Sequence, residues 1–368
     1  MTRREIAFFF SLIAFCLFLS LSGCAPSYFH QNIPDNEHLT TVFQCDNCFV
    51  RMLEDTDAIW VILWMKDKGL VLSQIDRQNN QWPNNQIPFS NPIVVNRRQG
   101  GEDVALNGVI WSTDVGANCV ASYDTRTQKA GENIAVSSPY AIAASEDAVW
   151  VAGFTREGSK YQQHLYRIDP RTQKVIVTIP LDYQGLKIAH PDTLWVMVDK
   201  MAVGHGFLWA TATTYKKSLV TTNPDQGFLL KIDPQTNRVI ETIAVGSAAN
   251  AITISKDAVW TSNAYDSTVT RVDPLTNKVV ATIPTAKEPK GLATGSGRIW
   301  VAAYYDGVVQ QIDTQTNQVA QTIFVGNLLG HFYPRIAINK ETIWVMVLGP
   351  GSDFNVNYVT HKIKRVTP

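Results

Sequence analysis

Two nearly superimposable stretches constrain this chain more than anything else in it. The first reads Ala-Val-Trp-Thr-Ser-Asn over 258–263, Thr-Val-Thr-Arg-Val-Asp-Pro-Leu-Thr-Asn over 268–277 and Lys-Val-Val-Ala-Thr-Ile-Pro over 278–284. The second reads Arg-Ile-Trp-Val-Ala-Ala over 298–303, Val-Val-Gln-Gln-Ile-Asp-Thr-Gln-Thr-Asn over 308–317 and Gln-Val-Ala-Gln-Thr-Ile-Phe over 318–324. Trp260 and Trp300 are 40 residues apart, the period expected of four-stranded propeller blades.

The same local frame, a turn followed by an apolar pair with Trp, recurs at Trp60, Trp111, Trp150, Trp209, Trp260, Trp300 and Trp344. Seven frames predict an all-β, seven-bladed β-propeller of four-stranded antiparallel blades. Trp195 fits the frame but stands only 14 residues before Trp209, too few for four strands, so Asp182–Asp199 is read as an insertion. Within a unit, strand a is the Ala/Gly/Thr-rich segment (251–254, 291–294, 336–338), strand b carries Trp, strand c ends in Asp, and strand d is Val-x-x-Thr-Ile. Small side chains suit the crowded inner strands, and each Trp supplies an apolar plate burying about 150–250 Å² between blades. The last unit stops after Lys362–Val366, so its outer strand is expected from the N-terminal side, near 40–44, which closes the ring.

The c–d connections, Asp-Pro-x-Thr-Asn at 233–237 and 273–277, Asp-Pro-x-Thr-Gln at 169–173 and Asp-Thr-x-Thr-Asn at 313–317, are turn chemistry. Pro presets φ, the Asp and Thr oxygens accept nearby N–H groups, and Asn tolerates a left-handed backbone. These aspartates are read as structural.

The N-terminus has Arg3 and Arg4, an apolar run from Ile6 to Leu21, and Leu21-Ser22-Gly23-Cys24. The run is too short for a membrane span and reads as a signal peptide over 1–23. Its ending resembles the lipobox of bacterial lipoproteins, which implies cleavage before Cys24 and acylation of that cysteine; an ordinary secretory signal cut nearby is the other reading. Residues 24–38 read as a flexible tether and 39–368 as the propeller domain. Localisation follows as the bacterial cell envelope, lipid-anchored and exported, facing the periplasm or the outside. Without residues 1–23 the chain keeps 30 basic and 31 acidic side chains, with no basic cluster for a nucleic acid.

These repeats resemble the bacterial YVTN-type propeller repeats over about residues 40–366, with 250–325 the best match. The resemblance implies the fold, leaves activity open, and implies an architecture shared with the streptogramin (virginiamycin B) lyases.

The a–b and c–d turns are short and stereotyped, whereas the b–c and d–a connections are long and variable: 83–103, 153–164, 182–199, 213–227, 327–334 and 349–358. Binding residues usually lie on variable loops over a rigid scaffold, so the b–c/d–a face is the candidate functional face. It is expected to present Tyr161, His164, Tyr215, Lys216, Lys217, Tyr265, Asp266, Tyr304, Tyr305, Asp306, His331, Phe332 and Tyr333. Tyr140, Asn250, Lys290 and Arg335, entering strand a from that side, are expected to rim the channel. Aromatic and amide groups there suit a protein, peptide or glycan ligand.

No catalytic residues, metal ligands or cofactor motif are recognised: the resemblance to the lyases implies paired His and Glu around a divalent metal, and no such pair is legible. Cys45-Asp-Asn-Cys48 in an exported chain reads as a local disulfide, a redox pair or half of a metal site. Cys119, in a predicted loop on the same face, could instead bond one of the two. The reading is a binding or interaction scaffold; the alternative is a metal-assisted lyase or lactone hydrolase at the channel mouth.

Overall fold

The computed structural model describes residues 39–46, 49–55, 58–65, 69–75, 87–88, 101–157, 160–181, 186, 193–217, 222–295, 297–326, 336–339, 342–348 and 360–366. Among them there is no helix. Every strand belongs to an antiparallel sheet.

After β1 (Leu39–Asp46), the Trp60 sheet is formed by β2 (Phe49–Glu54), β3 (Ile59–Met65), β4 (Gly69–Ile75) and β5 (Ile87–Pro88). The Trp111 sheet follows, with β6 (Asp103–Leu106), β7 (Val109–Asp114), β8 (Cys119–Asp124), β9 (Lys129–Ala130) and β10 (Ile134–Ala135). The Trp150 sheet has β11 (Ala141–Ser145), β12 (Ala148–Glu157), β13 (Lys160–Asp169) and β14 (Lys174–Leu181). The Trp209 sheet has β15 (Thr193–Gly204), β16 (Phe207–Lys217), β17 (Thr222–Asp233) and β18 (Arg238–Val245). Then come the Trp260 sheet, with β19 (Ala249–Ile254), β20 (Val259–Asn263), β21 (Thr268–Asp273) and β22 (Lys278–Pro284), and the Trp300 sheet, with β23 (Pro289–Gly295), β24 (Arg298–Ala303), β25 (Val308–Asp313) and β26 (Gln318–Phe324). The Trp344 sheet has β27 (Ile336–Asn339), β28 (Thr342–Leu348) and β29 (Thr360–Val366), and β1 lies antiparallel to β29 with Leu39 opposite Val366.

The fold is therefore a β-propeller. The first strand of each sheet touches the first strand of the next, and β27 returns to β2. The expectation of seven four-stranded blades is corrected to six: the Trp111 sheet has five strands, because its outer edge is split between β9 and β10. Gly131 sits in the gap. Its amide donates to the Ser122 carbonyl, and a Cβ there would fall 2.2 Å from Ser122 Oγ and 2.6 Å from the Gln173 amide, so a larger residue would have to displace those two side chains.

The cores lie between blades. Trp150, Trp209, Trp260 and Trp344 are fully buried, and burying a side chain of this size contributes on the order of 4–6 kcal/mol gross. The residue opposite the ring on strand a is kept small in several blades: Ala143, Ala202, Ala293 and Ala337. Indole N–H groups tie down the blade's own a–b turn, Trp209 to the Gly204 carbonyl at 3.1 Å and Trp260 to Ser255 Oγ at 3.0 Å.

The repeated aspartates make the turns. Asp273 Oδ1 accepts from the amides of Leu275 (2.8 Å) and Thr276 (3.3 Å), and its carbonyl accepts from Asn277 N at 2.9 Å. Asn237, Asn277 and Asn317 take φ of 54–57°, the left-handed conformation such a turn requires. Backbone hydrogen bonds hold the carboxyls of Asp169, Asp233, Asp273 and Asp313 below the usual aspartate range.

Three expectations about connections are corrected. Segment 182–199 is not wholly an insertion, since β15 begins at Thr193 and Asp199 lies inside an inner strand. Segments 153–164 and 213–227 are largely hairpin: β12 and β13 approach to Glu157 and Lys160, β16 and β17 to Lys217 and Thr222. Cys119 is buried at the start of β8, opposite Asp114, rather than in a loop.

Candidate functional site at the channel mouth

Strand a of three successive blades carries a bulge at one place. The register skips Asp199 in β15, Asn250 in β19 and Lys290 in β23, each ten residues before its blade's Trp. Tyr140 holds the same offset from Trp150, just ahead of β11. A bulge leaves one residue out of the ladder and re-aims its side chain. Four different chemistries, phenol, carboxyl, amide and ammonium, thus occupy equivalent positions at the mouth end of four neighbouring inner strands.

The first two are electrostatic neighbours. Asp199 is buried and accepts one hydrogen bond, from Thr213 Oγ1 at 2.8 Å. Burial pushes its carboxyl up to about 7, with the Thr213 hydrogen bond pulling the other way. The Tyr140 hydroxyl is buried beside the Val198 main chain without a hydrogen bond of good geometry. Burial first, and the Asp199 charge second, hold that phenol well above its ordinary range. Phe154 packs against the Tyr140 ring at 6.2 Å.

One residue further along, Lys200 pairs with Glu102. The two come from the Trp209 and Trp111 blades and share a register position, since the amide of each donates to a strand b threonine, Thr211 (3.0 Å) and Thr113 (2.8 Å). Between them the Trp150 blade places Ala141, opposite Ala152. A small residue there leaves room for the ion pair to span it.

On the other side Lys290 is buried, forms an ion pair with Glu288 Oε2 at 2.9 Å and lies over the Tyr304 ring at 4.7 Å. Burial, then the Glu288 charge, raises the Tyr304 phenol. Lys287 covers the ring of Tyr305 at 5.3 Å. Tyr305 and Tyr265 stand exposed, at 38% and 57%, in the b–c turns of their blades.

Asp266 and Asp306 have local work instead. Asp266 Oδ2 accepts from Ser247 N and Asp306 Oδ2 from Lys287 N, both at 2.8 Å, clipping the d–a loop to the b–c turn. His164 lies in β13, opposite Gly153, rather than in a loop, and burial lowers its pKa. Tyr215 lies in β16 rather than in a loop. His331, Phe332, Tyr333, Arg335, Cys24 and Cys48 lie outside the described residues, as do the side chains of Cys45, Tyr161, Lys216 and Lys217, so the disulfide reading falls there too. Among the described residues no three His, Cys, Asp or Glu side chains gather as a metal site would require.

Asp199 is the residue that sequence reasoning missed. The signal was present, since it stands ten residues before Trp209 just as Asn250 stands before Trp260. Trp195 concealed it by suggesting that the inserted segment reached as far as Asp199.

The ring of inner strands and its bulged mouth define a β-propeller, and comparison with solved structures agrees. The chain is similar to a streptogramin B lyase structure (14% identity, TM-score 0.54, covering 88% of this chain and 97% of that one). It is also similar to the Pan2 WD40 domain of Neurospora crassa (10%, TM-score 0.56, 92% and 98%) and to the hydrazine synthase of Kuenenia stuttgartiensis (12%, TM-score 0.54, 84% and 94%). At such identities the likeness is one of fold. No family model matches the chain, and no curated protein matches it in sequence.

Proposed function

We propose that this protein is a lipid-anchored propeller of the YVTN-repeat type that captures a protein, peptide or glycan at the bacterial cell envelope through its channel mouth. The observation that carries the binding reading is the run of bulges at Asp199, Asn250 and Lys290, with Tyr140 in phase. Strand pairing alone has no use for an unpaired residue repeated at one end of successive inner strands. Asn250 supplies hydrogen-bonding groups and Lys290 a charge at the rim, Asp199 and Tyr140 are buried in the wall behind them, and Tyr305 and Tyr265, with the edge of Tyr304, supply the wide apolar contact with polar edges common in recognition. In this reading all seven sheets form the ring, closed through β1, and Cys24 carries the acyl anchor.

The test is capture of arrayed glycans and peptides by the parent and by Lys290→Ala/Tyr304→Ala, with Leu275→Ser on the opposite face as control. Loss of capture in the double variant alone, at unchanged unfolding temperature, supports the reading; equal capture by all three proteins removes the site from the mouth. Turnover of an arrayed compound would replace binding with the lyase or hydrolase reading. For the anchor, wild type should incorporate labelled fatty acid and Cys24→Ala should not. Equal labelling would reject it.

A further inference from the structure

Among the described residues three large aromatic side chains are exposed, and all three stand on two adjacent blades at the mouth. Tyr265 and Tyr305 occupy the same place in the b–c turns of the Trp260 and Trp300 blades, each five residues after its tryptophan. Phe324, 41% exposed, ends β26 on the same side, beside Gly307 of the Tyr305 turn. Exposed aliphatic side chains lie toward the opposite face, with Leu275 in a c–d turn and Ile176, Ile240 and Val280 near the starts of outer strands. The mouth of these two blades is thus set apart by aromatic surface.

The backbone beneath the rings is paired with itself. In the Trp260 blade the amides of Ala264 and Tyr265 donate to the carbonyls of Ala248 (2.9 Å) and Ser247 (3.4 Å). In the Trp300 blade those of Tyr304 and Tyr305 donate to Glu288 (2.9 Å) and Lys287 (3.3 Å), and the Val325 amide, next to Phe324, donates to Gly307 (2.9 Å). The Ser247 and Lys287 amides go to Asp266 and Asp306. Turns held in this way keep the rings in place before any ligand arrives, so little ordering entropy is lost on binding. They also leave an extended peptide little to pair with, and its own N–H and C=O groups would be buried unsatisfied. A flat protein surface is hindered in another way. In the neighbouring Trp209 blade β16 and β17 run on to Lys217 and Thr222, so Tyr265 lies on the low side of a step.

We propose that these rings form a stacking platform for a β-linked glycan chain, an inference that rests on the mouth being the binding face and narrows its ligand to one class. A pyranose with equatorial substituents presents a flat face of C–H groups made slightly positive by the neighbouring oxygens, and such a face suits the negative face of an aromatic ring. A β-linked chain of these sugars is a thin ribbon that reaches the low side of a step and offers one flat face after another to rings set on successive blades. Its hydroxyls need side-chain partners rather than a strand edge. Asn250 is half-buried at the rim and Lys287 is exposed. With the Lys287 ammonium over one face of its ring at 5.3 Å, Tyr305 still keeps 38% of its surface open.

The test is titration of the full chain, in a sugar-free detergent, with chitotetraose and cellotetraose, and with a proline-rich peptide for comparison. Binding is read by calorimetry and by NMR of ring-labelled tyrosine, the signals of Tyr265 and Tyr305 being assigned with their Phe variants. At least one tetrasaccharide should bind and shift both signals, and its single sugar should bind about tenfold more weakly or less. Tyr265→Ala and Tyr305→Ala should each weaken the tetrasaccharide about tenfold at unchanged unfolding temperature. Tyr265→Phe and Tyr305→Phe keep the ring and should stay within about threefold of the parent. Failure of both tetrasaccharides to bind, or binding undiminished in both Ala variants, overturns the proposal. If the peptide binds instead and loses affinity in the Ala variants, the glycan is rejected while the mouth remains the binding face. Ligand binding that neither these variants nor Lys290→Ala/Tyr304→Ala weaken rejects both.

Discussion

The Trp260 and Trp300 blades end at the mouth within three residues of the tryptophan, at Asn263 and Ala303, whereas the Trp150 and Trp209 blades continue to Glu157 and Lys217. Those extra four to five residues per strand carry a hairpin about 13–17 Å further, at the rise of extended chain. The consequence is burial. Phe154, on the extended part of β12, packs against Tyr140, and Gln163 on β13 accepts the amide of Val198 at 3.2 Å. So Asp199 sits in a sheltered wall and titrates abnormally, while the equivalent Asn250 and Lys290 sit at a trimmed mouth beside exposed tyrosines. The same inner-strand position thus carries a buried acid in the sheltered wall, a half-buried amide at Asn250, and at Lys290 a buried ammonium held by Glu288 and the Tyr304 ring.

Removing the element common to both regions should have the largest effect. Trp260→Ala empties a fully buried site and should cost about 3–5 kcal/mol in denaturant unfolding. Tyr265→Ala, five residues away and 57% exposed, should change stability by less than about 0.5 kcal/mol. Comparable losses would mean that the turn is part of the core.

Next in size is a clamp between the regions, where Lys231 of the Trp209 blade holds the Asp273 turn of the Trp260 blade, its Nζ donating to the Pro274 carbonyl (2.7 Å) and Asn277 Oδ1 (2.9 Å). Lys231→Met keeps the apolar stem over Phe207 and Trp209 but strips two acceptors of their donor, so a loss of about 1–3 kcal/mol is expected. No measurable loss would show that the clamp positions the turn without stabilising it.

The smallest effect separates the two sides by pH. Burial raises the Asp199 carboxyl from 3.8 to about 7, so the folded chain holds this proton more tightly than the unfolded chain does. Its contribution to stability is fully present below about pH 4 and is lost as pH rises through about 7. The unfolding temperature of wild type, relative to Asp199→Asn, should therefore fall across that window, whereas the difference between wild type and Asn250→Asp, on the trimmed side, should not fall with it. A wild-type curve parallel to that of Asp199→Asn would show that the carboxyl is not perturbed.

Legibility in the sequence followed the same division. The Trp260 and Trp300 blades were readable residue by residue, because a trimmed blade has little besides its pleat, its turn and its plate, and each leaves a fixed signature. Tyr140, Asn250 and Lys290 are read from the sequence as entering strand a, and β11, β19 and β23 begin beside them. The extended hairpins were read as loops because their added residues lie beyond the repeat and carry none of its signatures. The split edge at Gly131 escaped notice for a related reason. It depends on Gln173 of the next blade reaching Ser122, 51 residues away in sequence, and no local pattern records such a contact.

The measurement that tests the central claim most directly is photo-crosslinking in the producing cells, with benzoylphenylalanine placed at Tyr305 on the mouth face or at Leu275, 88% exposed on the opposite face. The account expects a discrete adduct from Tyr305 that disappears when Lys290→Ala is added, and none of that mass from Leu275. The same adduct from both positions, or one from Leu275 alone, would contradict it.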